Sequence, residues 1–302
     1  MAGIFTEIEK RFKAGSILAK FIFINAGVFF IIRLLMIFLR LFLNESAFVE
    51  YIEMPSSLTL LMIRPWTIIT YMFVHVDFLH ILFNMLWLYW FGKIFITFFS
   101  GRQLGGLYIL GGIAGAALFL AAYNTLPLLK QNSENSFLAG ASASVMAIVF
   151  AVSFYRKDHT INLLFIGSIK LIYLAIGVFI IDILAITSDN AGGHIAHIGG
   201  SLLGVLYAYS FTKGKDITGF MNRMIDRFVN VVKRKPIFKI YRNESNKSDK
   251  NKSNRAETDD EYRRRKNEEN RIIDDILDKL KRSGYESLSA NEKKKLFDAS
   301  KK

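Results

Sequence analysis

The chain of 302 residues contains no cysteine. A thiol nucleophile, a thiolate zinc site and a disulfide framework are therefore excluded. The sequence also lacks the His-Glu-x-x-His pattern with which one helix holds a catalytic zinc ion. It shows no internal repeat of the kind that many transporters contain. These absences exclude cysteine-based mechanisms and the common helical zinc-protease motif, and they are compatible with any cellular compartment.

Charged residues are scarce in the first two-thirds of the chain. Residues 1–211 carry 13 Lys and Arg and 10 Asp and Glu, whereas residues 212–302 carry 26 and 16. The tail therefore holds most of the net charge of +13. A basic balance often indicates nucleic acid, but beside long apolar runs a membrane surface explains it better. We expect a lipid bilayer as partner and no nucleic acid.

Six apolar segments are candidates for membrane spans, because a helix needs about 20 residues to cross the hydrocarbon core. The first segment is too long for the core of a signal peptide, and no small-residue cleavage site follows it, so we interpret it as a retained span. The predicted spans are residues 17–40, 77–97, 103–123, 139–156, 168–187 and 194–212.

The charges of the loops predict the orientation of these spans. Lys93 and Arg102 flank the link between spans two and three, and Arg156 follows span four. The loop 44–65 instead carries three glutamates and a single arginine. The positive-inside rule then places both termini in the cytoplasm. The predicted fold is all-α, a six-helix bundle in the cell inner membrane or plasma membrane, with a short cytoplasmic helical tail.

Polar side chains are costly in lipid, so those inside a span suggest function. His80 and Asn84 in span two, Ser142 in span four and His197 in span six lie within about two turns of the outer end of their helices. Each alone has an ordinary explanation. A serine commonly bonds to its own helix carbonyls, and histidine or asparagine commonly bonds between helices. Four such groups at one depth favour a site.

Spacing supports the same interpretation. His80 and Asn84 are four residues apart and share one helix face, so two donors can point at one developing negative charge. Gly200 and Gly204 have the spacing that allows two membrane helices to approach closely. A close approach of spans four and six is what a hydrogen bond between Ser142 and a histidine base requires.

The remaining polar residues of the spans are expected to have structural roles. Asp182 lies near the outer end of span five, and nothing in the sequence links it to His197, so we interpret it as a hydrogen-bonding residue of the bundle. His75 and His194 are close enough to the outer boundary to be ordinary interfacial histidines.

Together these residues resemble the rhomboid family. The stretch from His75 to Asn84 is similar to the second-helix histidine and asparagine motif, and Gly140-Ala141-Ser142-Ala143 is similar to the nucleophile motif. Ala196-His197-Ile198-Gly199-Gly200, followed by Gly204, is similar to the sixth-helix histidine motif. The resemblance covers about residues 60–211. The order of the motifs on helices two, four and six is what makes it specific.

The resemblance implies an intramembrane serine protease with a Ser–His dyad and no acidic third member. Ser142 would be the nucleophile and His197 the general base and then acid. His80, Asn84 and the backbone N–H of Ser142 would form the oxyanion hole. The implied substrates are single-span membrane proteins with small or helix-destabilising residues near the cut. No cofactor and no metal are implied.

The chain departs from the family pattern beside the site. The family often has tyrosine or phenylalanine four residues after the nucleophile, where the imidazole can stack, and this chain has Met146. A flexible thioether would hold His197 less firmly.

Four alternative functions fit the sequence less well than a serine protease. A metal held by His194, His197 and His80 would lack a carboxylate placed as base. An aspartyl protease would need two intramembrane carboxylates, and only Asp182 is clearly inside. A rhomboid-like protein that binds membrane clients without cutting them is the main alternative. A transporter is less favoured because the polar layer is shallow.

The tail divides into two parts. Residues 212–268 are predicted to be a basic linker, largely disordered, with residues 241–268 poorest in apolar side chains. Residues 269–302 are predicted to form a small helical hairpin, with Ser289 and Glu292 as a capping box. The tail could dock a cytoplasmic partner or fold back on the core, or it could be a solvated tail whose basic run Lys233-Arg234-Lys235 lies against anionic lipid.

Overall fold

The computed structural model describes residues 15–43, 47–163, 167–232, 268, 272–281 and 283–299. The chain divides into two compact units, Met1–Pro236 and Ile237–Lys302. The predicted disordered stretch 241–268 lies outside the described residues apart from Glu268, and the basic run at 233–235 lies outside them entirely.

Six apolar helices form the described body of the first unit, and each predicted segment overlaps one of them. Four of these helices are long and apolar enough to cross a membrane, and the other two have 14 residues each. A helix of that length spans only about 21 Å. The helices are α1 (Ile17–Leu43), α2 (Phe78–Phe98), α3 (Gly101–Thr125), α4 (Ser142–Tyr155), α5 (Leu171–Leu184) and α6 (Ala191–Thr212), of which α4 and α5 are the short ones.

The segment between α1 and α2 is irregular, as its prolines and aromatics suggest. It contains short helices at Leu58–Ile63 and Thr67–Thr70 and 3-10 turns at Ala47–Tyr51 and Tyr71–Phe73. The indole N–H of Trp66 donates to the Tyr51 carbonyl at 2.9 Å, which closes the segment on itself.

A two-residue strand in this segment pairs with the stretch that precedes Ser142. Strand β1 (Met54–Pro55) pairs antiparallel with β2 (Phe137–Leu138). Because β2 leads within four residues to Ser142, the pairing ties the first loop to the beginning of α4.

Glycines allow α3, α4 and α6 to pack with their backbones almost in contact. A Cβ atom added at Gly200 would lie 2.0 Å from the Ala143 carbonyl oxygen, and one at Gly204 would lie 2.4 Å from that of Ala147. A Cβ at Gly115 of α3 would lie 2.5 Å from the Cβ of Ala143. The predicted close approach of the fourth and sixth spans is confirmed.

A β-hairpin follows α4, and an amphipathic helix follows α6. Strands β3 (Thr160–Leu163) and β4 (Gly167–Lys170) pair antiparallel between α4 and α5. Beyond α6, helix α7 (Gly219–Val232) forms within the stretch that the sequence analysis assigned to a linker. The side chain of Arg102 forms a salt bridge with Asp226, which fastens α7 to the beginning of α3.

The second unit is a small helical structure in the part that the structure describes. Residues 272–281 are helical, a 3-10 turn follows at Tyr285–Ser287, and a helix spans Ala290–Ala299. Ile276 and Leu288 are its buried apolar residues. The predicted capping box is present. The N–H of Ser289 donates to Glu292 Oε2 at 2.7 Å, and that of Glu292 donates to Ser289 Oγ at 3.4 Å.

Candidate active site

One cavity of about 270 Å³ contains all four side chains that the sequence singled out. His80 and Asn84 come from α2, Ser142 from α4 and His197 from α6. A cavity with a few convergent polar groups in a mainly apolar wall is typical of a ligand or catalytic site. The rest of the wall is formed by Phe83, Trp87, Ala139, Val145, Met146, Asn190 and Gly193.

Ser142 is the first residue of α4, whereas the sequence analysis placed it inside a span that began at residue 139. The first helical hydrogen bond runs from the Val145 N–H to the Ala141 carbonyl at 2.9 Å. The N–H groups of a helix's first turn have no partner within the helix, and the N-terminus carries partial positive charge. Ser142 therefore lies where a negative oxygen would be stabilised. Ser144 is instead buried in the packing of α4.

Gly140 sets the turn that precedes the serine. Its φ of +119° lies in the left-handed region that side chains rarely adopt. A Cβ there would also lie 2.7 Å from Cε1 of His80, so the imidazole packs directly against this backbone. The Gly140 N–H donates to the Tyr71 carbonyl at 2.9 Å. Only glycine satisfies both the conformation and the close approach.

His75 holds the next residue, and the expectation that it is an ordinary interfacial histidine was wrong. It is fully buried, and its Nε2 accepts a hydrogen bond from the Ala141 N–H at 3.3 Å. Burial, and secondarily the neighbouring His80, lower the pKa of His75 to about 4. At neutral pH the imidazole is therefore uncharged, so Nε2 can accept this bond.

His80 and Asn84 lie on one face of α2, as their spacing predicts. The amide Nδ2 of Asn84 donates to the His80 carbonyl at 2.9 Å. Asn84 is 6% exposed, and its amide has a second N–H available for another acceptor. Both side chains line the cavity that contains Ser142, so both can contribute donors there.

Asp182 contacts both histidines at the beginning of α6, a link that the sequence analysis did not find. Its Oδ1 lies 2.9 Å from Nδ1 of His197 and 2.8 Å from Nδ1 of His194. The carboxyl group is buried near the C-terminal end of α5. His194 is therefore a partner of this carboxylate and not an ordinary interfacial residue. A buried acid near the end of one helix and histidines at the start of the next could have suggested the pairing.

The same three residues are also the group that could hold a metal ion. Their ligand atoms all lie within 4.8 Å of one another. A histidine pair with one carboxylate is a common zinc ligand set. The metal set expected from the sequence was His194, His197 and His80, disfavoured because no carboxylate is placed as base, whereas in the structure Asp182 takes the place of His80 as the possible third ligand.

The helical bundle and the cavity define a class of protein, a membrane-embedded bundle with a serine and an imidazole at one end. Residues 63–214, half of the chain, match the Rhomboid domain family. The chain belongs to the rhomboid family. Residues 256–302 match a second family, DUF6576, whose function is unknown.

Two relatives agree with this assignment. The chain is 29% identical over 202 residues to RHOMBOID-like protein 12, mitochondrial, of Arabidopsis thaliana. The aligned region covers 63% of this chain and 57% of the relative. The chain is 31% identical over 150 residues to Rhomboid protein 1, mitochondrial, of Saccharomyces cerevisiae, which covers 47% and 40%. The chain thus spans about half the length of the relatives that it matches.

Proposed function

We propose that this chain is an intramembrane serine endopeptidase that cleaves transmembrane protein substrates with a Ser142–His197 pair. The observation that carries the proposal is the shared cavity, which is lined by Ser142 at the N-terminus of α4 and by His197 of α6. Membership of the rhomboid family supports the reaction class.

In the proposed reaction, Ser142 Oγ attacks the scissile carbonyl while Nε2 of His197 takes its proton. The resulting oxyanion accepts hydrogen bonds from the Ser142 N–H and from the side chains of His80 and Asn84. His197 then gives the proton to the leaving amine, and water releases the acyl group by the reverse sequence. Each oxyanion donor is expected to contribute about 100- to 1000-fold in rate.

The proposed topology has six crossings, with α4 and α5 as short spans and both termini on the positively charged side. Loop charge gives the side of each terminus, but it does not identify the membrane. The names of both relatives include the word mitochondrial, which favours a mitochondrial membrane over the cell inner or plasma membrane.

The test uses the purified full chain in liposomes with a single-span substrate and a serine-directed phosphonate probe. Wild type should cut the substrate and bind the probe covalently. Ser142→Ala should abolish both, because the nucleophile is gone. His197→Ala should reduce both by at least about 1000-fold.

Ser144→Ala is the matched control, since this serine is two residues away on the same helix and buried in the packing. Its activity should stay near that of wild type. If well-folded wild type neither cuts nor binds the probe, the protease proposal fails, and a protein that binds membrane clients without cutting them becomes the better hypothesis.

A further inference from the structure

The strongest unexplained feature of the molecule is a single carboxylate oxygen shared by two imidazoles. Asp182 is 3% exposed, and its Oδ1 is within hydrogen-bond distance of Nδ1 of both His197 and His194. Of the residues that the structure describes in α5, Asp182 is the only ionisable group that is buried. The two imidazoles contact Oδ1, whereas the other oxygen of the carboxylate, Oδ2, is buried with no hydrogen-bond partner among the residues that the structure describes.

The contact with Asp182 favours one tautomer of His197 over the other. An ionised carboxylate oxygen can only accept a hydrogen bond, so the contact favours the tautomer of His197 in which Nδ1 donates to Asp182 Oδ1. In a neutral imidazole the other nitrogen, Nε2, is then unprotonated and free to accept. That is the form a base needs in order to take the proton of a serine hydroxyl.

We propose that Asp182 is the positioning residue of this site, holding His197 in the tautomer and orientation that serve Ser142. This inference rests on the proposed protease function and adds an acid to the expected two-residue dyad. Asp182 touches no substrate in this scheme, and it acts through His197.

Two observations strengthen the assignment. His194 and His197 are three residues apart on one face of α6, so both can reach one acceptor, and Nδ1 of His194 is the second group that contacts Asp182 Oδ1. Met146, one turn below Ser142 on α4, lines the same cavity, and a flexible thioether orients a ring weakly. The orientation of His197 therefore depends on Asp182.

The distances favour hydrogen bonds over a metal ion. Separations of 2.8 and 2.9 Å between nitrogen and oxygen are those of N–H···O contacts. Ligand atoms around a tetrahedral zinc ion at about 2.0–2.1 Å would be about 3.3 Å apart. Holding an ion would thus require the three side chains to separate.

The first test measures the tautomer directly, by ¹⁵N NMR of the full chain labelled on histidine, in micelles. The chain has five histidines, so the His197 signals can be assigned from a His197→Gln sample. We expect His197 protonated at Nδ1 in wild type. Protonation at Nε2 would overturn the positioning role whatever the variants do.

The second test compares probe labelling rates of Asp182→Asn and His194→Gln. Asparagine can turn its amide N–H toward Nδ1 and so favour the wrong tautomer. We expect a loss of about 100- to 10,000-fold in the rate of labelling at saturating probe, with unchanged probe affinity, as in serine hydrolases that lose this acid. His194→Gln keeps Asp182 and a donor near it, and should lose less than about 10-fold.

The outcomes separate the two claims. If wild type does not react with the probe, the proposed function fails. If wild type reacts while Asp182→Asn reacts equally fast and keeps the Nδ1–H signal, the positioning role fails and the protease survives. If EDTA abolishes labelling and zinc restores it, the three residues hold a metal and the positioning role also fails.

Discussion

Helices α4 and α5 have the same length and similar apolar composition but very different surroundings. In α4, eleven of the 14 residues are buried, from Ala143 to Ser153. In α5 only Leu171, Ala175 and Asp182 are buried, and four of its isoleucines are between 42% and 62% exposed. One helix is enclosed by protein, and the other presents most of its surface to the proposed lipid.

The difference means that the two proposed catalytic side chains are held in place in different ways. The proposed nucleophile, Ser142, lies at the end of the helix whose backbone α3 and α6 contact closely, so its position is set by close packing. The proposed positioning acid lies on the loosely enclosed helix, where one buried carboxylate provides the polar link to α6. Movement of α5 would therefore affect His197 before it affected Ser142.

The largest effect should come from adding one methyl group where the helices touch. In Gly200→Ala the new Cβ would meet the Ala143 carbonyl oxygen at 2.0 Å, and this backbone cannot yield without moving Ser142. We expect a loss of about 3 kcal/mol in unfolding free energy in micelles, together with lost probe labelling.

Gly177→Ala on α5 is the matched control, because a Cβ there meets no atom within 4 Å. Its stability should change by less than about 0.5 kcal/mol. Equal effects of the two substitutions would contradict the proposed contrast between an enclosed and an exposed helix.

A smaller effect should follow from truncating one isoleucine on each helix. Ile148 of α4 is fully buried, so Ile148→Ala would leave a cavity and lower stability by about 2 kcal/mol. Ile181 of α5 is 62% exposed, and lipid can fill the space that its truncation leaves. Thermal unfolding in micelles should therefore separate the two variants. A loss at Ile181 as large as at Ile148 would place protein, and not lipid, against α5.

Much of this arrangement could be predicted because it depends on the length of apolar runs and on the free-energy cost of placing polar side chains in lipid. Apolar runs of about 20 residues located the helices, and the cost of burying polar groups identified Ser142, His197, His80 and Asn84. Gly200 and Gly204 predicted the approach of α6 to α4, since small residues are what close packing needs.

The features that could not be predicted depend on contacts between segments that are distant in the sequence or on the backbone conformation of one turn. Nothing local distinguishes His75 from an interfacial histidine, because its partner, the Ala141 N–H, is 66 residues further along the chain. The link from Asp182 to His197 required knowing which faces of α5 and α6 meet. The beginning of α4 at Ser142 required the left-handed turn at Gly140, which the small residues around it did not indicate.

The smallest effect on the rate of probe labelling should come from substitutions of His75, which supports the turn before Ser142. His75→Leu removes the acceptor of the Ala141 N–H and should slow probe labelling by about 10-fold, the value of one hydrogen bond of roughly 1.4 kcal/mol. His75→Gln offers an amide oxygen and should recover part of that rate.

The two variants should also differ from wild type in how stability depends on pH. Folded His75 stays neutral down to about pH 4, whereas the unfolded chain takes up a proton near its ordinary pKa of about 6.5. Wild-type stability should therefore fall as the pH drops from about 6.5 to 4, and less so in His75→Gln. Identical pH profiles in wild type and His75→Gln would mean that His75 is not buried as a neutral acceptor, and the turn at Ser142 would then need another support.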